Sequence, residues 1–261
     1  MTIARRALLL AGAACVGPAA AGLPEVIAAL RPSVLPVGSY SATDSPRFGF
    51  RGSGFVVGDG TLVATNFHVL PTNLNSSADG SDAGPRLAVL TGRRGEGNEL
   101  RLARVVASER VHDLALLKID GPPLPALALD DANSAREGQA IALMGFPIGG
   151  ALGFAAVTHR GIVASITTVA LPAANAQQLD PRAISRLREG NFEVLQLDAT
   201  AYPGNSGGPL FDAETGRVLG IVNMVLVKSS RESALSQPTG ITYAIPVRHL
   251  LALLAEYRQQ R

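Results

Sequence analysis

Apolar residues in this chain come in short bursts, each bounded by glycine, proline, asparagine, aspartate or serine. That rhythm, instead of a sustained 3.6-residue recurrence, predicts many short strands from Pro24 onward and an all-β barrel or sandwich. A first set is expected over 33–37, 54–57, 61–66, 86–90, 99–106 and 114–119. A second is expected over 139–144, 155–168, 194–197, 218–227 and 241–245. The sets are separated by "GPPLPALALDDANSAREG", which opens on a Gly/Pro-rich stretch and suits a link between two halves. The architecture read from this is two antiparallel β-barrels of about six strands each. The first spans about 30–122 and the second about 123–246.

Two segments read as helices. In "DPRAISRLREG", Asp180 can cap, Pro181 suits the first helical position and Gly190 the exit. At 247–259, Val247, Leu250, Leu251, Leu254 and Tyr257 share one face at helical spacing, predicting a helix packed on the second barrel. The polar stretch 73–85 reads as a loop, and no internal repeat is evident.

Composition narrows the class. Of 261 residues 47% are hydrophobic, enough to bury a core and exclude wholesale disorder. Only 5% are aromatic and tryptophan is absent, which disfavours a stacking surface for bases or sugars. The net charge of +2 is carried by Arg5 and Arg6, in an acid-free first 21 residues. The body is therefore balanced, with no basic stripe to neutralise phosphates, and nucleic acid is excluded as a partner.

That opening, "MTIARRALLLAGAACVGPAAAG", has two arginines, an apolar run and small residues before Gly22. It reads as an export signal over 1–21, with an uncleaved membrane anchor as the alternative. The run is too short to span a bilayer comfortably, so no stable membrane span is expected after cleavage. Cys15, the single cysteine, lies within it, which leaves the mature chain without thiol chemistry. Isolated histidines and the lack of a cysteine pair argue against a metal site, and nothing calls for a cofactor.

The chemistry concentrates in "TAYPGNSGGPLF", 200–211, where prolines and glycines crowd around Ser206. G-x-S-x-G also marks the nucleophile elbow of α/β-hydrolases, which needs a helix after the serine and an acid and a histidine later in the chain. Asp212 and His249 satisfy that order, but Pro209 and the valine-rich run that follows do not suit a helix, and His249 falls within the predicted C-terminal helix. The other reading needs a histidine and an aspartate earlier. His68 sits where the apolar strand "TLVATN" ends, a suitable station for a general base. Asp113 opens "DLALLKI", and a carboxylate at the mouth of a buried strand needs a partner. His112 adjoins it, but neighbours on a strand point to opposite faces. A surface position accounts for His159. Asp130, Asp131 and Asp198 lack the strand-entry position of Asp113.

"ATNFHVL", "HDLALLKI" and "YPGNSGGPL", in that order, resemble the trypsin-like (chymotrypsin-fold) serine proteases, more closely their HtrA/Deg branch. "RGSGFVV", "MGFPIG", "VTHRGIVAS" and "TYAIPV" fall where that branch has similar segments. The resemblance implies His68 as general base, Asp113 as its orienter and Ser206 as nucleophile, in a cleft between the barrels. It implies an oxyanion hole from the Gly204–Asn205–Ser206 backbone and a specificity pocket floored near Thr200 and walled by Ile221, Val222 and Asn223. No acid stands at Thr200, which disfavours a Lys/Arg preference and suggests small or medium aliphatic side chains before the scissile bond. The implied activity is an exported, periplasmic or secreted, serine endopeptidase acting on extended or misfolded polypeptides. The alternative is a chaperone-like binder with a latent site. Asn205 replaces the aspartate that digestive relatives carry there, and the glycine-rich 145–154 reads as a regulatory loop or a plain connection. The branch's peptide-binding PDZ domain is not expected. A homotrimer through Tyr40, Phe48 and Phe50, or local packing of these rings, are both open.

Overall fold

The computed structural model describes residues 22–71, 84–92, 98–132, 135–147, 149, 153–168, 192–224 and 240–260. The expected export signal, the helix expected at 180–190 and nearly all of the 73–85 loop lie outside the described residues. Strands β1 (Val34–Tyr40), β2 (Phe48–Val57), β3 (Leu62–Asn66), β4 (Arg86–Thr91), β5 (Glu99–Glu109) and β6 (Leu114–Ile119) close into one barrel. A second closes from β7 (Ala140–Gly145), β8 (Val157–Thr168), β9 (Glu193–Asp198), β10 (Pro209–Asp212), β11 (Val218–Val222) and β12 (Ile241–Pro246). Both run in the order 1-2-3-6-5-4 of their own strands, the second as β7-β8-β9-β12-β11-β10, and every ladder is antiparallel. Closure leaves neither sheet with an open edge.

Strands such as β6 and β7 read as nearly unbroken apolar runs because both of their faces are buried. On β6, Ala115, Leu117 and Ile119 join the interior of the first barrel, with Val37, Val56, Val63 and Val89. Its alternate residues Leu114 and Leu116 turn outward into a cluster shared with Met144, Phe146, Phe211 and Leu250 of the second half. On β7 the split repeats, Ile141 and Leu143 facing the second barrel's interior and Ala142 and Met144 the shared cluster. The period-2 pleat thus gives each barrel a core and gives both a common seam. Truncating a leucine there costs about 2–5 kcal/mol.

Three expectations need correction. Residues Leu23–Leu30 form a helix, α1, where strands were expected from Pro24 onward. Pro24 lies in its first turn, where a missing N–H removes no helical bond. Val26 and Leu30 then pack over Gly216, in the turn between β10 and β11. Strand β10 was not anticipated, because it is four residues long and begins on a proline. The strand expected to run to 227 ends at Val222, and the two residues that follow take up work at the site instead. The C-terminal helix, α2 (Val247–Gln259), buries Val247, Leu250, Leu253, Leu254 and Tyr257, with Leu253 in the place expected of the half-buried Leu251. It contacts β5 and β6 of the first barrel as well as β11 and β12, so it bridges the barrels.

Candidate active site

The first half of the site is a turn held by another turn. After Asn66 ends β3, residues Phe67–Val69 make one 3-10 turn that presents His68. Asp113 closes the turn before β6 and sits at φ 55°, in the left-handed region. Aspartate tolerates that region better than most residues, though the conformation still costs on the order of 1–3 kcal/mol. The bonds it makes there are the compensation. Its carbonyl accepts from the Phe67 N–H at 2.9 Å and from Asn66 Nδ2 at 3.1 Å. Its Oδ1 accepts from the His68 N–H at 2.8 Å, and its Oδ2 lies 2.5 Å from His68 Nδ1. Asn223 Nδ2 donates to the same Oδ2 at 2.8 Å. A carboxylate accepts, so the imidazole proton sits on Nδ1 and Nε2 is left as a base.

The second half is a loop shaped by backbone. Asn205 N–H donates to Tyr202 O at 3.0 Å, Gly207 N–H to Val222 O at 2.9 Å and Gly208 N–H to Asn205 O at 2.9 Å. Gly204 has φ 106°, and a Cβ on it would lie 2.3 Å from Phe146 O, so only glycine fits. The glycine requirement thus comes from the protein's own packing. Ser206 is 5% exposed. Its carbonyl accepts from the Ser53 N–H of β2 at 2.8 Å, and its Oγ accepts from the Met224 N–H at 3.2 Å.

Two contacts bring the halves together. The backbone of Gly207 approaches the first barrel so closely that a Cβ there would lie 2.1 Å from Ser53 O and 3.1 Å from Asn66 N, two residues before His68. Adjacent residues then reach both partners: Asn223 holds the Asp113 carboxylate while Met224 holds the Ser206 hydroxyl. Among the described residues no hydrogen bond joins Ser206 to His68, and none uses the N–H groups of Gly204 or Ser206. Asn205, expected alongside them, has its N–H engaged in the turn. Asn223 and Met224 thus link the His68–Asp113 pair to the Ser206 loop, and among the described residues the N–H groups of Gly204 and Ser206 carry no hydrogen bond.

The expected pocket residues divide. Thr200 is half-buried after β9. Ile221 is fully buried in the seam cluster, and Val222 in the interior of the second barrel. Asn223, expected in a pocket wall, donates its amide to Asp113. Sequence reasoning gave no signal for the roles of Asn223 and Met224, because the fold alone carries them to the first barrel.

The other histidines lie elsewhere. His112 points away from Asp113, with Nδ1 on Glu109, its ring stacked on His249 at 3.6 Å and edged by Phe192. Burial, aided by His112 and Arg248, pushes His249 down to about 4. His159 departs from the expected surface position. It is half-buried beside Tyr202, and that burial lowers its pKa. A strand, β10, follows Ser206 where an α/β-hydrolase has a helix, and Asp212 bonds Gln139 and Thr215. The elbow reading is thereby excluded. No group of three metal-ligating side chains occurs among the described residues.

A family model described as "Trypsin-like peptidase domain" matches residues 52–221. The chain belongs to that family. Curated relatives named "Probable periplasmic serine endoprotease DegP-like" include one from Pseudomonas fluorescens, 31% identical over 196 residues, which are 75% of this chain and 32% of that protein. Another, from Marinomonas, is 30% identical over 207 residues, 79% of this chain and 35% of the other. The chain thus spans about a third of the length of the relatives it matches. Among solved structures, "HtrA-type protease AlgW with decapeptide" aligns with a TM-score of 0.61 at 22% identity, over 92% of this chain and 68% of that one. The trypsin-like fold with two six-stranded barrels, an HtrA/Deg-like likeness and a C-terminal helix accounts for these matches.

Proposed function

We propose that this trypsin-like peptidase is an exported serine endopeptidase, periplasmic like the relatives it resembles, that cleaves extended or misfolded polypeptides through an acyl-enzyme. Residues 1–21 act as its export signal. The observation that carries the reading is the His68–Asp113 pair at 2.5 Å, linked through Asn223 and Met224 to the Ser206 hydroxyl of the other barrel, whose Gly204 and Ser206 amides are unengaged among the described residues. Substrate entry turns Ser206 Oγ from the Met224 N–H toward His68 Nε2, which takes its proton as Oγ attacks the scissile carbonyl. Asp113 stabilises the resulting imidazolium, while the Gly204 and Ser206 amides take the oxyanion. His68 then returns the proton to the leaving amine, and water repeats the sequence to release the acid. Around Thr200, with no acid to attract Lys or Arg, small or medium aliphatic side chains fit best before the scissile bond.

One observation favours a second reading, a binding protein whose site is latent: Ser206 Oγ is held by Met224 and not by His68. Incubating the protein with a fluorophosphonate probe and unfolded casein, with Ser206→Ala in parallel, separates the two. Labelling and cleavage that both vanish in Ser206→Ala are expected. Casein binding without either leaves the latent binder.

A further inference from the structure

We propose that Ser53, on the first barrel, is a positioning residue for the oxyanion hole of the second; the inference rests on the endopeptidase reading above. Ser53 is fully buried, and every polar atom it has is used. Its N–H donates to Ser206 O at 2.8 Å, and its carbonyl accepts from Thr65 Oγ1 at 2.7 Å. Its hydroxyl donates to Gly204 O at 2.6 Å and accepts from the Phe146 N–H at 3.0 Å. One residue of β2 therefore grips the carbonyls of Gly204 and Ser206, the two residues whose N–H groups stand unengaged among the described residues.

The hydroxyl is the element that matters, for three reasons. First, Gly204 is a glycine at φ 106°, with other basins open to it, and the direction of its N–H follows from how its peptides are held. The carbonyl bond to Ser53 Oγ fixes one of those peptides. Second, the loop has no side-chain anchor of its own: Asn205 is fully buried, yet neither Oδ1 nor Nδ2 finds a partner among the described residues. Third, Ser53 Oγ ties the loop to Phe146, the start of the glycine-rich 145–154 stretch. Packing there is tight, since a Cβ on Gly145 would lie 2.7 Å from Asn205 Oδ1 and 2.8 Å from Ser53 Oγ. Phe50, on the same strand, adds an apolar brace against both Gly149 and Gly204. The other bonds of Ser53 run through its own backbone N–H and C=O and survive its substitution. The hydroxyl alone can be removed.

Because Ser53 does not touch the substrate, its loss acts on the tetrahedral state and not on ground-state binding. In the full chain, Ser53→Ala is expected to lower kcat by about 10–100-fold, short of the 10²–10³ for deleting an oxyanion donor outright. KM on an unfolded-casein peptide stays within about twofold. Affinity for a peptide boronate, which forms a tetrahedral adduct on Ser206, falls by the same factor as kcat, while a fluorophosphonate still modifies one serine per chain. Ser53→Cys keeps the shape with a weaker donor and is expected to fall between; should the alanine variant not fold, the cysteine variant carries the comparison. An active wild type with kcat and boronate affinity unchanged in these variants, or with the loss confined to KM, overturns the role of Ser53 alone. A wild type that neither labels nor cleaves overturns the endopeptidase reading and this inference with it.

Discussion

The turn bearing His68 and Asp113 and the loop bearing Ser206 are brought together by Gly207, Asn223 and Met224 but are built on opposite plans. The first is fixed by side chains, the Asp113 carboxylate receiving His68 N–H, His68 Nδ1 and Asn223 Nδ2. The second is fixed by its own main chain, gripped from the other barrel by the Ser53 backbone and hydroxyl, while its own buried side chain, Asn205, is unpartnered among the described residues. On the proposed mechanism the acid–base half is thus set before substrate arrives, whereas the nucleophile half keeps its hydroxyl on Met224 and, among the described residues, its Gly204 and Ser206 amides unengaged. A carboxylate can be oriented once by fixed donors, but an oxyanion exists only in passing, so its donors stand open until it forms.

The largest effect comes from disturbing the side-chain half. Asp113→Asn retains a residue that tolerates φ 55° but loses the carboxylate that holds the Nδ1 tautomer. A drop of about 10⁴-fold in kcat with little change in Tm is expected. Steady-state kinetics beside a thermal melt check it, and a loss under tenfold breaks the assignment. The main-chain half answers differently. Gly204→Ala forces a Cβ against Phe146 O and a side chain into positive φ, so activity falls by at least about 10²-fold and Tm falls with it. Full activity with an unchanged melt contradicts the account of that loop.

The smallest effect is on stability and concerns neither half directly. The unfolded chain protonates His249 near its usual 6.5, whereas the native state holds it to about 4. The unfolded state therefore binds the extra proton first, and stability falls as pH drops from about 6.5 to about 4, with no further loss from this group below that. His159, also lowered by burial, acts in the same direction. Around His249 stand His112, Glu109 and Arg248, the last paired with Glu193. Asp59 and Asp212 are lowered too, so their contribution is lost only below about 3.8. Melts from pH 7 to 4.5 are expected to show a falling Tm with a shallower slope in His249→Phe. A flat profile, or identical slopes, contradicts the origin given.

What the sequence revealed follows the same division. The barrels were readable because β6 and β7 are apolar on both faces, and His68, Asp113 and Ser206 stood out because strand ends and a glycine cluster mark them. Helix α1 was hidden, since "LPEVIAAL" has too few polar positions to show a periodic face, and β10 was hidden by Pro209. The partners of the site were not readable at all. Asn223 looks like the end of an apolar strand, and Ser53 like one more small residue in "RGSGFVV". Only the closing of two barrels on each other brings the first to Asp113 and the second to Gly204.

The most direct measurement is a crystal structure of the protein with a peptide boronate bound. The account predicts boron on Ser206 Oγ, now parted from the Met224 N–H, and a boronate oxygen about 3 Å from both the Gly204 and Ser206 nitrogens. His68 and Asp113 remain where they are in the unliganded chain. Boron on another residue, or an adduct whose oxygens avoid both amides, contradicts it.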